Sequence, residues 1–513
     1  MEPIWEENEK ERLARYENIL KDSPLLYSSA RKTFEEIPKD LKKPEADACA
    51  FVLAPALVSY VAWILKESTE SKKRRLYFLA RDGYFMYKTA RVLCEEFGFP
   101  IECRYLSCSR YSVRIPTYCL DFEEALDYIC RGGIDVNMEK ILDRAGLKEN
   151  EKEEVLKDLK EKQNLSFEKE EEIPHARLGE IKKALGKCGI FKSFVMENSQ
   201  KVLPLFLEYL RQEGLFENIP MALADSGWVG SMQKILGRAI EYGKGQKDLL
   251  TPAAEDQSSA AQEDFHSQFL EGYYWGLYEL PLNVEPGRYH CYYFQPGGNI
   301  REKIFFSNCL FEAVFSAPHG MTMGYEKTEG RAEPVYAAIS PGQKKFMEET
   351  GKIYKSFTEN LAAEIKSCLK DKGSVSEISD ESRKGSSPEK FFSLFDMEKD
   401  KEIIFELLSV FMGKPSKGEA EVFGSLHFSD DVIDHTFQEL APVFTSEELK
   451  GSRAMPKILS LLGIKKTQAK ESAWYEASAV RNGKNIKRSL KGYERYKKLL
   501  YMKKELEWRK IYG

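Results

Sequence analysis

Histidine is scarce, with six residues in 513, and the ten cysteines (Cys49, Cys94, Cys103, Cys108, Cys119, Cys130, Cys188, Cys291, Cys309, Cys368) include no C-x-x-C pair. A disulfide framework is therefore not expected, and the thiols read as reduced, mostly buried groups of a cytoplasmic protein. An excess of one charge is lacking as well. The 82 acids and 77 bases leave a formal −5, which by itself asks for neither a polyanionic nor a polycationic partner. The opening residues, MEPIWEENEKER, have neither the basic start nor the apolar core of a signal peptide, so export by that route is not expected. Long uncharged runs are limited to Ala48–Leu65 (ACAFVLAPALVSYVAWIL), at the lower limit for crossing a bilayer. With Pro55, Ser59 and Tyr60 inside it and a strand-like segment soon after it, the run reads as a buried helix of an α/β domain, the alternative being a membrane or interfacial segment.

What is present is a chain with 42% hydrophobic and 31% charged residues, long enough for two or three packed domains, which excludes a disordered chain, a small disulfide scaffold and a fibre. The charge is unevenly spread. From Lys465 to Gly513 there are fifteen Lys and Arg against five Asp and Glu, so a basic tail follows an acidic body.

The clearest local architecture begins at Leu76–Ala80 (LYFLA), a short β-prone run. A turn at Arg81-Asp82-Gly83 follows, then Met86, Ala90, Leu93 and Phe97 at helical spacing until Gly98 and Pro100, then a strand over Ile101–Ser107. A strand, loop, helix, strand unit implies a parallel sheet with a right-handed crossover. The same grammar returns where Ile219–Ala224 runs into Asp225–Ser231 and a helix carrying Ile235, Leu236, Ala239 and Ile240. Gly272–Tyr278 is a further strand. Gly245–Asp264 reads as a loop.

The expected fold class is α/β, a Rossmann-like parallel sheet with a large helical insertion followed by a mainly helical C-terminal domain. The expected segments are a charged helical stretch at 1–45, an α/β core at 46–330 with a helical cap at about 118–217, and a segment 331–368 holding a long amphipathic helix over Pro341–Cys368. A linker at 369–390 and a helical domain at 391–513 ending in the basic tail complete the chain.

In open parallel sheets, ligands bind at the carboxyl ends of the strands, where loop N–H groups and helix N-termini point outward. Two loops fit that rule. Arg81-Asp82-Gly83 joins a cation, an anion and a flexible residue, and Asp225-Ser226-Gly227-Trp228-Val229-Gly230-Ser231 surrounds a helix start with two glycines and two hydroxyls. Glycine lets the main chain approach a phosphate, serine adds a donor, and an aspartate can hold sugar hydroxyls or a metal ion. Ser107-Cys108-Ser109-Arg110, with Arg114, adds guanidinium groups at the same sheet edge, suited to bidentate phosphate contacts. Neither loop is a Walker A or a G-x-G-x-x-G string. The alternative reading makes Asp82, Asp225 and Ser226 plain helix caps, with the arginines paired to acids of the cap.

The strings LYFLARDGYFMYKTA, YLSCSR, ADSGWVGSMQ and EAVFSAPHGMTMGY resemble the large C-terminal module of bacterial hydrolases of the haloacid dehalogenase (HAD) superfamily, over about residues 45 to 330. That resemblance implies a link to cell-surface polysaccharide and glycosyltransferase genes. A phosphatase of the superfamily needs a strand ending in Asp-x-Asp. None occurs in residues 1–75, and two positions beyond Asp82 stands Tyr84. The chain therefore looks like the companion module without the phosphatase. A fainter resemblance is to type I phosphoribosyltransferases, whose order of pyrophosphate loop, basic residue and acid-plus-phosphate loop is echoed by Arg81-Asp82-Gly83, Arg110, and Asp225 with Gly230-Ser231. Ala224 stands in place of that motif's first acid.

The expected function is thus a phosphate-ligand-binding enzyme. It would be phosphoribosyltransferase-like, or a transferase of sugar phosphates or nucleotides, with Asp82 and Asp225 as catalytic candidates. Arg81, Gly83, Ser109, Arg110, Ser226, Gly227, Trp228, Gly230 and Ser231 are the ligand-binding candidates, and Asp225 the candidate Mg²⁺ ligand. The alternatives are a non-catalytic scaffold of a polysaccharide assembly and a phosphohydrolase acting through Asp82.

The group His427, Asp430, Asp431, Asp434 and His435 has metal-ligand side chains but no recognised spacing and reads as a solvated helix start; His319 reads as a turn residue. The basic tail interleaves Tyr493, Tyr496, Leu499, Leu500 and Trp508 with lysines and arginines. Its expected partner is the chain's own acidic body, the alternatives being a membrane surface or another protein; no nucleic-acid partner is expected.

Overall fold

Five strands form one all-parallel sheet in the order β2-β1-β3-β4-β5: β1 Arg75–Leu79, β2 Glu102–Leu106, β3 Met221–Trp228, β4 Glu271–Leu277 and β5 Tyr289–Phe294. The structure is a computed structural model and describes residues 3–38, 44–132, 136–167, 171–250, 270–371, 388–428, 438–451 and 472–512. The fold is the expected α/β class, and its strand order is the doubly wound one whose direction of winding reverses between β1 and β3.

Alternation along the strands divides the interior. Leu76, Phe78, Ala222, Ala224, Tyr273 and Trp275 face one core, while Tyr77, Leu79 and Leu223 face the other. β1 is buried at every position, which is why it reads as a continuous apolar run rather than an alternating one. The helix Gly83–Phe97 buries Met86, Ala90, Leu93 and Phe97 at the expected spacing. It ends where Gly98 takes φ 66° and its N–H bonds the Cys94 carbonyl.

The uncharged run Ala48–Leu65 lies within a helical stretch from Pro44 to Glu70, with a π-turn over Cys49–Leu53. It is the one helix among the described residues long and apolar enough to cross a membrane, and 94% of that apolar window is buried within the chain. Tyr60 meets Trp275 edge-on, with ring centroids 5.4 Å apart, and its hydroxyl donates to the carbonyls of Asp225 (2.8 Å) and Tyr273 (3.0 Å).

The helical insertion between β2 and β3 begins earlier than expected, at Arg110 rather than near 118, and its last helix is Gly189–Gln212. It carries its own core, including Ile115, Leu126, Ile141, Leu159 and Phe191. Three further boundaries differ from the sequence reading. Asp225–Trp228 belongs to β3 rather than to a loop, because its pairing with β4 continues through Trp228 opposite Leu277. β5 falls in a stretch where no strand is expected. Residues 331–336, assigned to the segment of the long helix, form β7 (Arg331–Tyr336), paired with β6 (Thr322–Thr328), while the long helix itself starts at Pro341 as expected and runs to Asp371. The helix that begins at Ser231 runs to Leu250, into the start of the expected loop 245–264, because the helical face of Ile235, Leu236, Ala239 and Ile240 carries it on; residues 251–264 of that loop, 372–387 of the expected linker, and Asp430, Asp431, Asp434 and His435 lie outside the described residues.

The C-terminal part is mainly helical, with a two-residue antiparallel pair at His427–Phe428 and Gln438–Glu439. Its Phe391, Ile404, Phe411 and Trp474 join the same core as Phe78 and Trp275. The terminal helix Ile486–Tyr512 lies along the body. Tyr501 stacks on Tyr278 with centroids 5.7 Å apart, Lys497 pairs with Glu476 at 2.7 Å, and Trp508 covers Gly297.

Candidate functional site

The site forms where β1, β2 and β3 end. Beyond Leu79 the chain turns through Ala80 and Arg81, whose connecting peptide is cis, to Asp82 at the head of the helix Gly83–Phe97. Asp82 does not cap that helix with its side chain; its Oδ2 instead accepts a hydrogen bond of 2.5 Å from the Ser226 hydroxyl. Gly83 has a packing role. A Cβ there would come within 3.0 Å of the Phe78 carbonyl carbon, so glycine lets the helix start directly against the strand, and the residue does not line the cavity.

On β3, Asp225 and Ser226 are strand residues, and the helix Ser231–Leu250 starts later, which removes the plain-cap reading for both. Gly227 has φ 113° and would place a Cβ 2.4 Å from the Gly276 carbonyl oxygen. Gly230 has φ 69° and packs against Tyr289. Trp228, between them, holds φ 74° without being glycine, a conformation costing roughly 1–3 kcal/mol. Its indole N–H donates to Glu312 at 2.5 Å, which fixes the ring at the cavity wall.

After β2, Ser109 caps the helix Arg110–Thr117, accepting from the Ser112 N–H at 3.0 Å, while its hydroxyl donates to the Thr322 carbonyl at 2.6 Å. The second bond ties the β6–β7 hairpin over the end of the sheet. Arg110 faces the cavity. Arg114, expected at the same edge, instead lies 3.7 Å above the Tyr128 ring inside the insertion.

The resulting cavity holds about 390 Å³ and brings together Arg81, Asp82, Ser109, Arg110, Asp225, Ser226, Gly227, Trp228, Gly230 and Ser231, the expected site residues other than Gly83 and Arg114. Glu312, Arg131, Met321 and Gln343 also line it and were not singled out from the sequence. Glu312 was legible in principle, as the one charged residue in the mostly apolar helix Asn308–Phe315 (NCLFEAVF).

Three carboxyl groups, each half-buried, thus share one cavity. Burial, with the Asp82 charge added, pushes Asp225 up to about 8; burial and Asp82 likewise push Glu312 up to about 7, against the pull of Arg110 and Arg81. Asp82 is raised by burial, opposed by the Ser226 hydrogen bond and by Arg81 and Arg110. The three titrate as one coupled group, so near neutral pH the cavity holds both protonated and ionised carboxyls beside two guanidinium groups.

A second chamber of about 410 Å³ shares Arg131, Trp228 and Val229 with the first and is walled by Tyr278, Tyr493, Tyr496, Tyr501 and Lys497. A larger cavity of about 570 Å³ lies elsewhere, at the N-terminal helices. There Arg12 and Tyr16 are both bound to Glu419, so its charged groups satisfy one another. The acidic group Glu139, Asp143 and Glu149 encloses the Lys152 ammonium at 2.8, 2.5 and 2.6 Å, which supplies the positive charge a metal would bring. His319 stands outside the cavity, its Nδ1 bonded to the Gly320 carbonyl (2.8 Å) and its Nε2 to the Tyr105 hydroxyl (2.9 Å). Both ring positions are used, and burial lowers its pKa.

No protein-family model matches the chain, and no curated protein matches it significantly.

Proposed function

We propose that the chain is a cytoplasmic α/β enzyme that transfers a group to or from a phosphorylated small molecule, a sugar phosphate or nucleotide, at the cavity between β1 and β3. The observation that carries this reading is the meeting of Asp82, Asp225 and Glu312 with Arg81 and Arg110 at the switch point of the sheet. Arginine forks and the N-terminus of the helix Ser231–Leu250 suit a phosphate group. Asp225, protonated near neutral pH, can hand a proton to a leaving oxygen, while Asp82, oriented by Ser226, can accept one from an attacking hydroxyl. Trp228 and the tyrosine-walled chamber leave room for the rest of the ligand beside the phosphate.

The donor set also fits Mg²⁺, because hard carboxylate oxygens that repel one another are what a small dication relieves. Asp82 and Asp225 would hold it, Asp225 then giving up its proton and with it the role of acid, and it would supply neutralisation of phosphate charge. Direct phosphohydrolysis through Asp82 is the weaker reading, since Oδ2 is engaged by Ser226 and the residue two positions on, Tyr84, packs edge-on to Tyr105. All ten cysteines are free thiols, which supports a reducing compartment. The link to cell-surface polysaccharide metabolism rests on the HAD-module resemblance.

Magnesium pyrophosphate is the direct probe. It should raise the melting temperature of the wild type by a few degrees, by mass action on the folded state. Arg110→Gln should weaken that response and Asp225→Asn should abolish it, both proteins remaining folded. An unchanged response in both variants would sink the assignment.

A further inference from the structure

The terminal helix Ile486–Tyr512 has two differently built faces. Tyr493, Lys497, Tyr501, Lys504 and Trp508 turn inward and hold it to the body through the Tyr278 stack, the Glu476 and Glu279 ion pairs and the contact over Gly297. The opposite face carries Arg488, Lys491, Arg495, Leu499, Met502, Leu506 and Lys510, recurring every three or four positions as one stripe. Leu499, Met502 and Leu506 are 50%, 45% and 60% exposed, so this apolar centre is left to solvent by a helix that already has its docking contacts. Lys503 and Arg509 flank the stripe and are also exposed. Of the three carboxylates of the helix, Glu505 is bonded to Arg509 and Glu507 paired with Lys503 at the edges of that face, and Glu494 is exposed off it.

We propose that this outer face binds an anionic lipid bilayer, lying parallel to it with the leucines and Met502 at the headgroup boundary and the cations on lipid phosphates. Charge and shape select that occupant. A convex helix face with cations at both ends of an apolar centre, Arg488, Lys491 and Arg495 at one and Lys510 at the other, matches a flat layer that is negative at its surface and apolar below. A nucleic-acid backbone would reward the cations and leave the three apolar side chains unburied. Because the docking contacts are on the other face, the chain reaches the bilayer without releasing the helix. Self-docking and membrane binding are therefore compatible. The proposal stands apart from the phosphate-ligand reading.

The test sediments the full chain with vesicles of phosphatidylcholine containing about one-third phosphatidylglycerol, and with phosphatidylcholine alone. Binding is expected to the anionic vesicles only, weakening with salt. Leu499→Ser/Leu506→Ser and Arg495→Glu/Lys503→Glu should each lower it about tenfold or more. The altered side chains are exposed, so the melting temperature and the pyrophosphate response should match the wild type. Absence of binding to anionic vesicles, equal binding to neutral ones, or binding that survives both double variants would overturn the proposal. Loss in the charge variant alone would point to a soluble polyanion and overturn it as well.

Discussion

Asp225 is kept protonated at neutral pH because burial and the Asp82 charge beside it disfavour its anion. An acid whose folded-state pKa is about 8, against an ordinary value near 4, binds a proton in the folded chain that the unfolded chain has already lost. Its contribution to stability is therefore fully present at low pH and is lost as pH rises through 8. Asp225→Asn keeps the shape without the charge. It should be more stable than the wild type by an amount that grows by about 2–3 kcal/mol between pH 6 and pH 8.5 and levels off above pH 8, with differential scanning calorimetry as the check. A gap that shrinks with pH would contradict the assignment. The same variant is expected to lose its response to magnesium pyrophosphate, so a more stable protein with a silent site is its joint signature.

At the scale of elements, the buried helix Ala54–Glu70 does more than fill space. Tyr60 reaches from it to the carbonyls of Asp225 and Tyr273, holding β3 and β4 where the acidic residue emerges. Tyr60→Phe leaves the ring packing and removes the donor, so it should cost about 1–3 kcal/mol by urea denaturation. The same element shows how far sequence reading reaches. Its apolar run was legible, and so was a buried placement as one of two readings. The choice between protein interior and bilayer was made by Trp275, Tyr273 and Tyr292, which come from strands more than two hundred residues away. Helix starts and stops such as Gly83 and Gly98 followed from local chemistry. The end of β3 did not, since Asp225–Trp228 has loop-like composition and is made a strand by pairing with β4.

For the whole molecule, the N-terminal helices, the sheet and the C-terminal helices share one core, and ion pairs bind the two ends of the chain together. Arg12 bonds Glu419 through both Nε (3.0 Å) and Nη2 (2.6 Å), with Tyr16 on the same carboxylate. Arg12→Leu would leave Glu419 buried without its cation, an expected loss of about 3–5 kcal/mol. Unfolding followed by tryptophan fluorescence and by far-ultraviolet circular dichroism should shift together, because Trp275 and Trp474 lie in that common core. A C-terminal part that unfolds first and alone would refute the single core.

Sequence by itself determined the parts that depend on neighbours a few residues apart: the class of fold, the β1 unit with its helix and the turn that holds Asp82, the presence of Asp225 at the end of a further strand, and the basic periodic tail. Tertiary structure decided the rest. It brought Glu312 to the acidic cavity, took Arg114 and Gly83 out of it, closed Lys152 inside its three carboxylates, and turned one face of the tail inward and the other to solvent. The physical reason is that burial, carboxyl pKa and ion pairing are set by what packs across the sheet, and the packed groups lie far apart along the chain.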